Sequence, residues 1–313
     1  MMEYYEFKQG LMSALNEAYG FDYHIEERTV EKPNLGAVDA IQIKKGNSGV
    51  LLYPEELYAQ YSAGRTIDNM VKGYEKAIYN LPEQQEIDTS RGAILDKVFY
   101  KMVGISGNES YLADKPYTKV EGFDDIALIP CMEVEVSGHK GVTIFTNKQI
   151  ALAGISPGEL HAAASANTDN MIRFRSMGEV LAELMPWMDR EMLDSSPLYV
   201  ANDSEMERGA APLGAPSVLK EIQAKLGDHY VIPSSIHEVI AVSKEDVSDL
   251  SHLQYIVGEC NSTAVAPGEK LADSVYESKG GKYVTHSFGA GAEAGAESAM
   301  RDSDGLANYG PRL

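Results

Sequence analysis

Cysteine is nearly absent from this sequence: Cys131 and Cys260 are the only two among 313 residues. Two thiols cannot make the disulfide framework of a small secreted domain, and reduced thiols in a cytosolic protein are the simplest reading. Long apolar runs are absent too, and none approaches the ~20 residues that a membrane-spanning helix needs. The opening Met1-Met2-Glu3-Tyr4-Tyr5-Glu6 has neither the basic nor the apolar stretch of a secretory signal. Positive charge is scarce: 27 Lys and Arg stand against 47 Asp and Glu, a net charge of −20. That deficit argues against nucleic acid, whose binding rests on neutralising phosphates, and against anionic membrane surfaces. The acids are spread along the chain instead of massed in one run, so an acidic DNA mimic or DNA-associated protein is a subordinate reading.

What is present is an ordinary globular composition, 44% apolar and 24% charged, in a chain long enough for one large domain or two of average size. Tyr4, Phe7, Leu11, Leu15 and Ala18 fall on one helical face and predict a helix over 4–19, stopping at Gly20. Residues 40–43 and 49–53 predict a hairpin around Lys44-Lys45-Gly46-Asn47. Pro54 opens a short helix, and Ile67, Met70, Val71, Tyr74 and Ile78 mark another. Residues 91–104 suit a helix and a strand equally. Residues 125–136 and 142–145 predict a second hairpin, with Pro130 implying a bulge or an edge position.

Three helix starts carry the capping-box spacing, in which two side chains satisfy each other's orphan amides: Thr146 with Gln149, Ser156 with Glu159, and Ser176 with Glu179. Further on, the pattern gives a strand at 198–201, a helix from Pro216 to Leu226 ended by Gly227, strands at 229–233 and 236–242, and a helix on Val247, Leu250, Leu253 and Val257. A last hairpin turns at Gly280-Gly281. From His286 onward the chain holds five glycines and six alanines with few large apolar side chains, which predicts a flexible, disordered C-terminal tail over 286–313. The whole predicts a mixed α+β protein with mainly antiparallel sheets and peripheral helices. A boundary near 190 would divide an N-terminal α+β region, 1–190, from a C-terminal α/β region, 191–285, unless the two are continuous.

The chemistry is sparse. The most pointed stretch, Ile232-Pro233-Ser234-Ser235-Ile236-His237-Glu238-Val239-Ile240, puts hydroxyls, an imidazole and a carboxylate at the start of an apolar strand. A serine-type hydrolase wants such a set, with Ser235 as nucleophile and His237 as base. In a strand, Ser235 and His237 share a face, whereas His237 and Glu238 point apart. No Gly-x-Ser-x-Gly elbow is present, and no second His lies four residues after His237. A structural join between two strands is the favoured account of Ser234, Ser235, His237 and Glu238.

Residues 146–164 mimic a helix-turn-helix. Ile150 is large where two helices must approach, and the second helix has no Lys or Arg and starts with Glu159, so a structural corner is favoured. Asp124-Asp125 and Asp302 with Asp304 lack the support of a metal loop, and Gly104 and Gly107 form no dinucleotide fingerprint, so no metal and no cofactor is expected. Both cysteines read as buried structural thiols. Asn261-Ser262-Thr263 matches a glycosylation sequon, by chance if the chain is not exported.

Leu198-Tyr199-Val200-Ala201-Asn202, Gly209-Ala210-Ala211 and the Pro233-to-Val239 run, with Phe123-Asp124-Asp125-Ile126-Ala127 and Gly154-Ile155-Ser156 upstream, resemble an uncharacterised bacterial family, a domain of unknown function of anaerobic Gram-positive gut bacteria. The resemblance covers roughly residues 5–285 and implies a cytoplasmic bacterial protein. It brings no catalytic residue with it. Composition and resemblance together favour a non-enzymatic accessory protein whose partner is another protein.

Overall fold

The computed structural model describes residues 2–83, 86–136, 139–189, 193, 195–203 and 211–287. It divides into two compact units, Met1–Asp88 with Glu133–Gly141, and Thr89–Met132 with Val142 onward. Position 190 lies between two neighbouring strands of one sheet.

In the first unit α1 (Tyr4–Tyr19) buries Phe7, Leu11, Leu15 and Tyr19. Ala18, expected on that face, is exposed, and Tyr19 takes the inward position. Three antiparallel strands follow, β1 (His24–Lys32), β2 (Gly36–Lys45) and β3 (Ser48–Leu52). The β2–β3 turn is Gly46-Asn47. Gly46 has φ +58°, and a Cβ there would lie 1.8 Å from the carbonyl oxygen of Glu83, so the position requires glycine. Helices α2 (Pro54–Ser62), α3 (Ile67–Gly73) and α4 (Glu75–Tyr79) complete the unit. Its core joins Phe7, Leu11 and Leu15 to Ile41, Ile43, Leu52, Leu57 and Met70.

The second unit resolves the ambiguity of 91–104: α5 (Arg91–Lys97) passes directly into β4 (Val98–Gly104). The junction is held by the Asn167 side-chain amide, which donates to the carbonyls of Leu95, Asp96 and Val98. After the short α6 (Glu109–Leu112), β5 (Ile126–Val136) and β6 (His139–Ile144) complete a three-stranded sheet in which β5 is the middle strand. Pro130 is therefore neither at an edge nor in a bulge against β4. It sits opposite Tyr100, whose N–H donates to Thr168 Oγ1 and whose C=O accepts from Ala211, so no rung between the two is lost.

All three capping boxes form, at α7 (Asn147–Leu152), α8 (Pro157–Asp169) and α9 (Met177–Leu184). Gly154, at φ +69°, makes the corner between α7 and α8, and Ile150 is buried.

The larger sheet is antiparallel in every pairing. Its order is β12-β11-β9-β10-β8-β7, with β7 at Ile172–Ser176, β8 at Leu198–Asp203, β9 at His229–Ser235, β10 at Glu238–Ser243, β11 at Val275–Lys279 and β12 at Lys282–His286. Helix α10 (Pro216–Leu226) ends at Gly227, φ +63°. Helix α11 (Leu250–Thr263) lays Leu250, Leu253 and Val257 over Tyr230, Ile232, Ile240 and Val242 of the sheet. The architecture is mixed α+β with antiparallel sheets, as the periodicity predicts.

Several expectations shift. The tail expected from 286 begins too early, because His286 pairs with Val275 in β12, and residues 288–313, with Asp302 and Asp304, lie outside those described. Cys131 is buried, as expected, but Cys260 is exposed on α11. Asn261 is 5% exposed and donates to Ala272 O and Asp273 Oδ1, which makes the sequon a packing feature. Asp125 accepts from the Ser274 hydroxyl at 2.6 Å and from the Tyr276 hydroxyl. Its carboxylate is thus engaged inside the fold.

Candidate functional site

Ser234, Ser235, His237 and Glu238 lie at the β9–β10 hairpin. Ser235 pairs with Glu238 across a two-residue turn, Ile236-His237. The register then shifts by one before the Ile232–Ile240 pair, so Pro233 and Ser234 together face Val239 in a β-bulge. Proline fits there, where a ladder donor is dispensable. His237 is a turn residue, not a strand residue, so the face-sharing with Ser235 that strand alternation implied does not arise.

The hydroxyl of Ser235 accepts the backbone N–H of His237 at 3.2 Å. The imidazole turns elsewhere: Nε2 is 3.5 Å from Glu269 Oε1, and the buried Nδ1 has no hydrogen-bond partner. The 3-10 turn Pro267–Glu269 that follows α11 also receives the N–H of Ile236 through the carbonyl of Glu269. The structure thus brings Ser235 to the backbone of His237 and the ring of His237 to Glu269, and forms no hydrogen bond between the hydroxyl and the ring. Burial pushes the carboxyl of Glu238 above the usual range, with the nearby His237 opposing it weakly.

Two residues that the sequence did not single out belong to the same place. Asn202 of β8 pairs with Glu238 on one side and with Arg173 of β7 on the other. Directly opposed residues of an antiparallel sheet project from the same face, so Arg173, Asn202, Glu238 and Ser235 form a polar row across four strands. Asn202 is 2% exposed, and its Oδ1 has no hydrogen-bond partner. Strand alternation was the only signal for it: Asn202 shares a strand face with Val200 and Leu198, which pair with Ile240 and Val242. Among the described residues, no group of three or more His, Cys, Asp and Glu is placed to hold a metal ion.

A second feature lies in the first unit, where Phe21, in the turn after α1, is wholly exposed. Its sequence neighbours Tyr19 and Tyr23 form an aromatic cluster with Tyr79, with ring centroids 5.8 Å and 6.4 Å from the Tyr79 ring. Tyr19 donates its hydroxyl to the carbonyl of Val71 at 3.0 Å, fixing α1 to α3. Tyr79 is 57% exposed. A groove of about 380 Å³ runs between these helices. Its apolar floor comes from Ala14, Ala18, Tyr19, Val71 and Tyr79, and Glu17, Asp68 and Glu75 outnumber Lys72 in its lining.

No helix among the described residues is long and apolar enough to cross a membrane. No curated protein and no solved structure matches the chain. A family model does match, over residues 4–278, which takes in both the aromatic groove and the polar row, and by that match the chain belongs to the family of unknown function DUF5688.

Proposed function

We propose that the protein is a non-enzymatic accessory protein of the cytoplasm that works by binding another protein, and that the aromatic groove of the first unit is where the partner docks. The observation that carries this reading is Phe21, wholly exposed in the turn between Tyr19 and Tyr23, the two residues that pack with Tyr79. Burial of such a ring on complex formation supplies the free energy that interfaces concentrate in a few aromatic anchors. The carboxylates of Glu17, Asp68 and Glu75 in the groove lining favour a partner segment with Lys or Arg beside an apolar side chain. The hairpin favours the same reading, because the Ser235 hydroxyl is committed to the turn amide and the His237 ring to Glu269.

The test is in-cell crosslinking followed by reconstitution of the crosslinked partner with purified protein. Phe21→Ala with Tyr79→Ala should weaken the reconstituted complex at least tenfold, while Ser235→Ala leaves it unchanged. Labelling of Ser235 by a serine-reactive phosphonate, lost in His237→Ala with the fold intact, would replace this reading with a hydrolase.

A further inference from the structure

We propose that the polar row Arg173–Asn202–Glu238, at the hairpin end of the six-stranded sheet, is a binding site for a small molecule carrying an ammonium and a carboxylate on the same carbon, a free α-amino acid. The site is separate from the aromatic groove and belongs to the other unit, so either reading can fail without the other.

Arg173 and Asn202 are directly opposed on β7 and β8, and Asn202 and Glu238 on β8 and β10, so the three side chains leave one face of the sheet at steps of about 5 Å. Their chemistry is ordered along the row. At the outer end is a guanidinium, which prefers a carboxylate as its partner. In the middle is an amide oxygen, and at the inner end a carboxyl, both of which accept from N–H groups.

The floor of the row is unsatisfied. Asn202 is 2% exposed, and its Oδ1 has no donor. Leaving a buried acceptor without a partner is unfavourable, and such groups are rare in folded proteins. A leucine would fill this position in a sheet whose same face carries Val200, Leu198, Ile240 and Val242. The flanking side chains reach the surface: Arg173 is exposed, and Ser235, His237 and Glu238 are partly exposed. An ammonium lodged between Asn202 Oδ1 and Glu238 supplies the missing donor, and the attached carboxylate then falls to Arg173.

The experiment is a thermal-shift and calorimetric titration of the full-length protein with each of the twenty free L-amino acids at millimolar concentration. At least one should raise the unfolding midpoint and titrate with one site per chain. Its N-acetylated form, which lacks the ammonium, and its carboxamide, which lacks the carboxylate, should each bind at least tenfold more weakly. Glu238→Gln and Asn202→Leu should each reduce affinity at least tenfold, and Asn202→Leu should unfold at the same temperature as the unliganded wild type or higher. A purely structural asparagine would lose stability on that change. Arg173→Ala alters an exposed side chain and keeps the proposal testable if the buried variants do not fold; it should abolish the distinction between the amino acid and its carboxamide. The proposal is overturned if none of the twenty shifts the midpoint, or if the shift persists in Arg173→Ala with undiminished carboxylate preference.

Discussion

Ser235 is used for geometry: its hydroxyl holds the amide of the turn residue His237, and this bond replaces one that the two-residue turn would otherwise leave to solvent. Ser235→Ala should therefore lower stability by about 1 kcal/mol. His237→Ala should cost a similar or smaller amount, because the ring is half exposed and its one ionic contact, with Glu269, is at the surface. Chemical denaturation of both variants checks this, and a loss of several kcal/mol in either would show a deeper role. Glu277 is the opposite case. Its carboxylate is buried at 5% exposure, which by itself pushes its pKa up. Hydrogen bonds from Lys244, His286 and Lys279 outweigh that burial and hold it down at about 2. A carboxyl depressed in the folded state stabilises it fully above the unfolded value near 4.5, and the contribution is lost as pH falls toward 2. Glu277→Gln should destabilise by about 1–2 kcal/mol at pH 7, less than a fully enclosed pair because Lys279 is 62% exposed. The gap between wild type and variant should narrow steadily below pH 4.5 in pH-stepped urea titrations. A gap independent of pH would show that the charge network does not stabilise the fold.

Elements with strong local chemistry were legible in the sequence. The capping boxes at Thr146, Ser156 and Ser176 form as their spacing predicts, since the reciprocal bonds depend on three residues of separation and on nothing distant. Gly227 ends α10 and Gly280-Gly281 turns β11 into β12 for equally local reasons, each glycine adopting positive φ. The strand β1 was not legible. His24-Ile25-Glu26-Glu27-Arg28-Thr29-Val30-Glu31-Lys32 is polar on both faces and mostly exposed, and its partner β2 supplies the reason for its extension. The hairpin at Ser235 was misjudged by two residues, because Ile236-His237 form the turn and strand alternation does not run through them. Asn202 escaped because only a tertiary pairing brings it beside Glu238. Ser156→Ala removes the acceptor for Glu159 N–H and the hydroxyl that donates to Glu159 Oε2, while the backbone N–H of residue 156 still donates to that carboxylate, which also pairs with Arg91. The variant should lose about 1 kcal/mol, read as a lower midpoint in thermal unfolding. Ser156→Asp should keep most of that stability, and an equal loss in both would mean that the cap contributes nothing.

At the scale of the whole molecule, charge decides which partners are admissible. The net charge of −20 repels polyanions before any contact forms. Several of the cations that would have to neutralise phosphates are already engaged: Lys8 with Glu27 and Asp39, Arg91 with Glu159, Arg175 with Glu183, and Lys244 with Glu277. The helix pair α7 and α8, which resembles a DNA reader in its order, offers no help, since α8 carries no Lys or Arg from Pro157 to Asp169 and has Glu159 in its first turn, the end that would meet bases or phosphates. Freeing these cations would cost their present ion pairs, and binding would still have to overcome the repulsion. The expectation is that the protein leaves duplex DNA unshifted in gel electrophoresis at ~0.15 M salt, where the Debye length of about 8 Å still transmits the repulsion near the surface. A control duplex bound by a basic protein should shift under the same conditions. A specific shift whose affinity falls steeply with rising salt would show counterion release from phosphates. It would require a positive surface that the described residues do not assemble at α8, and would overturn this account of the molecule's charge.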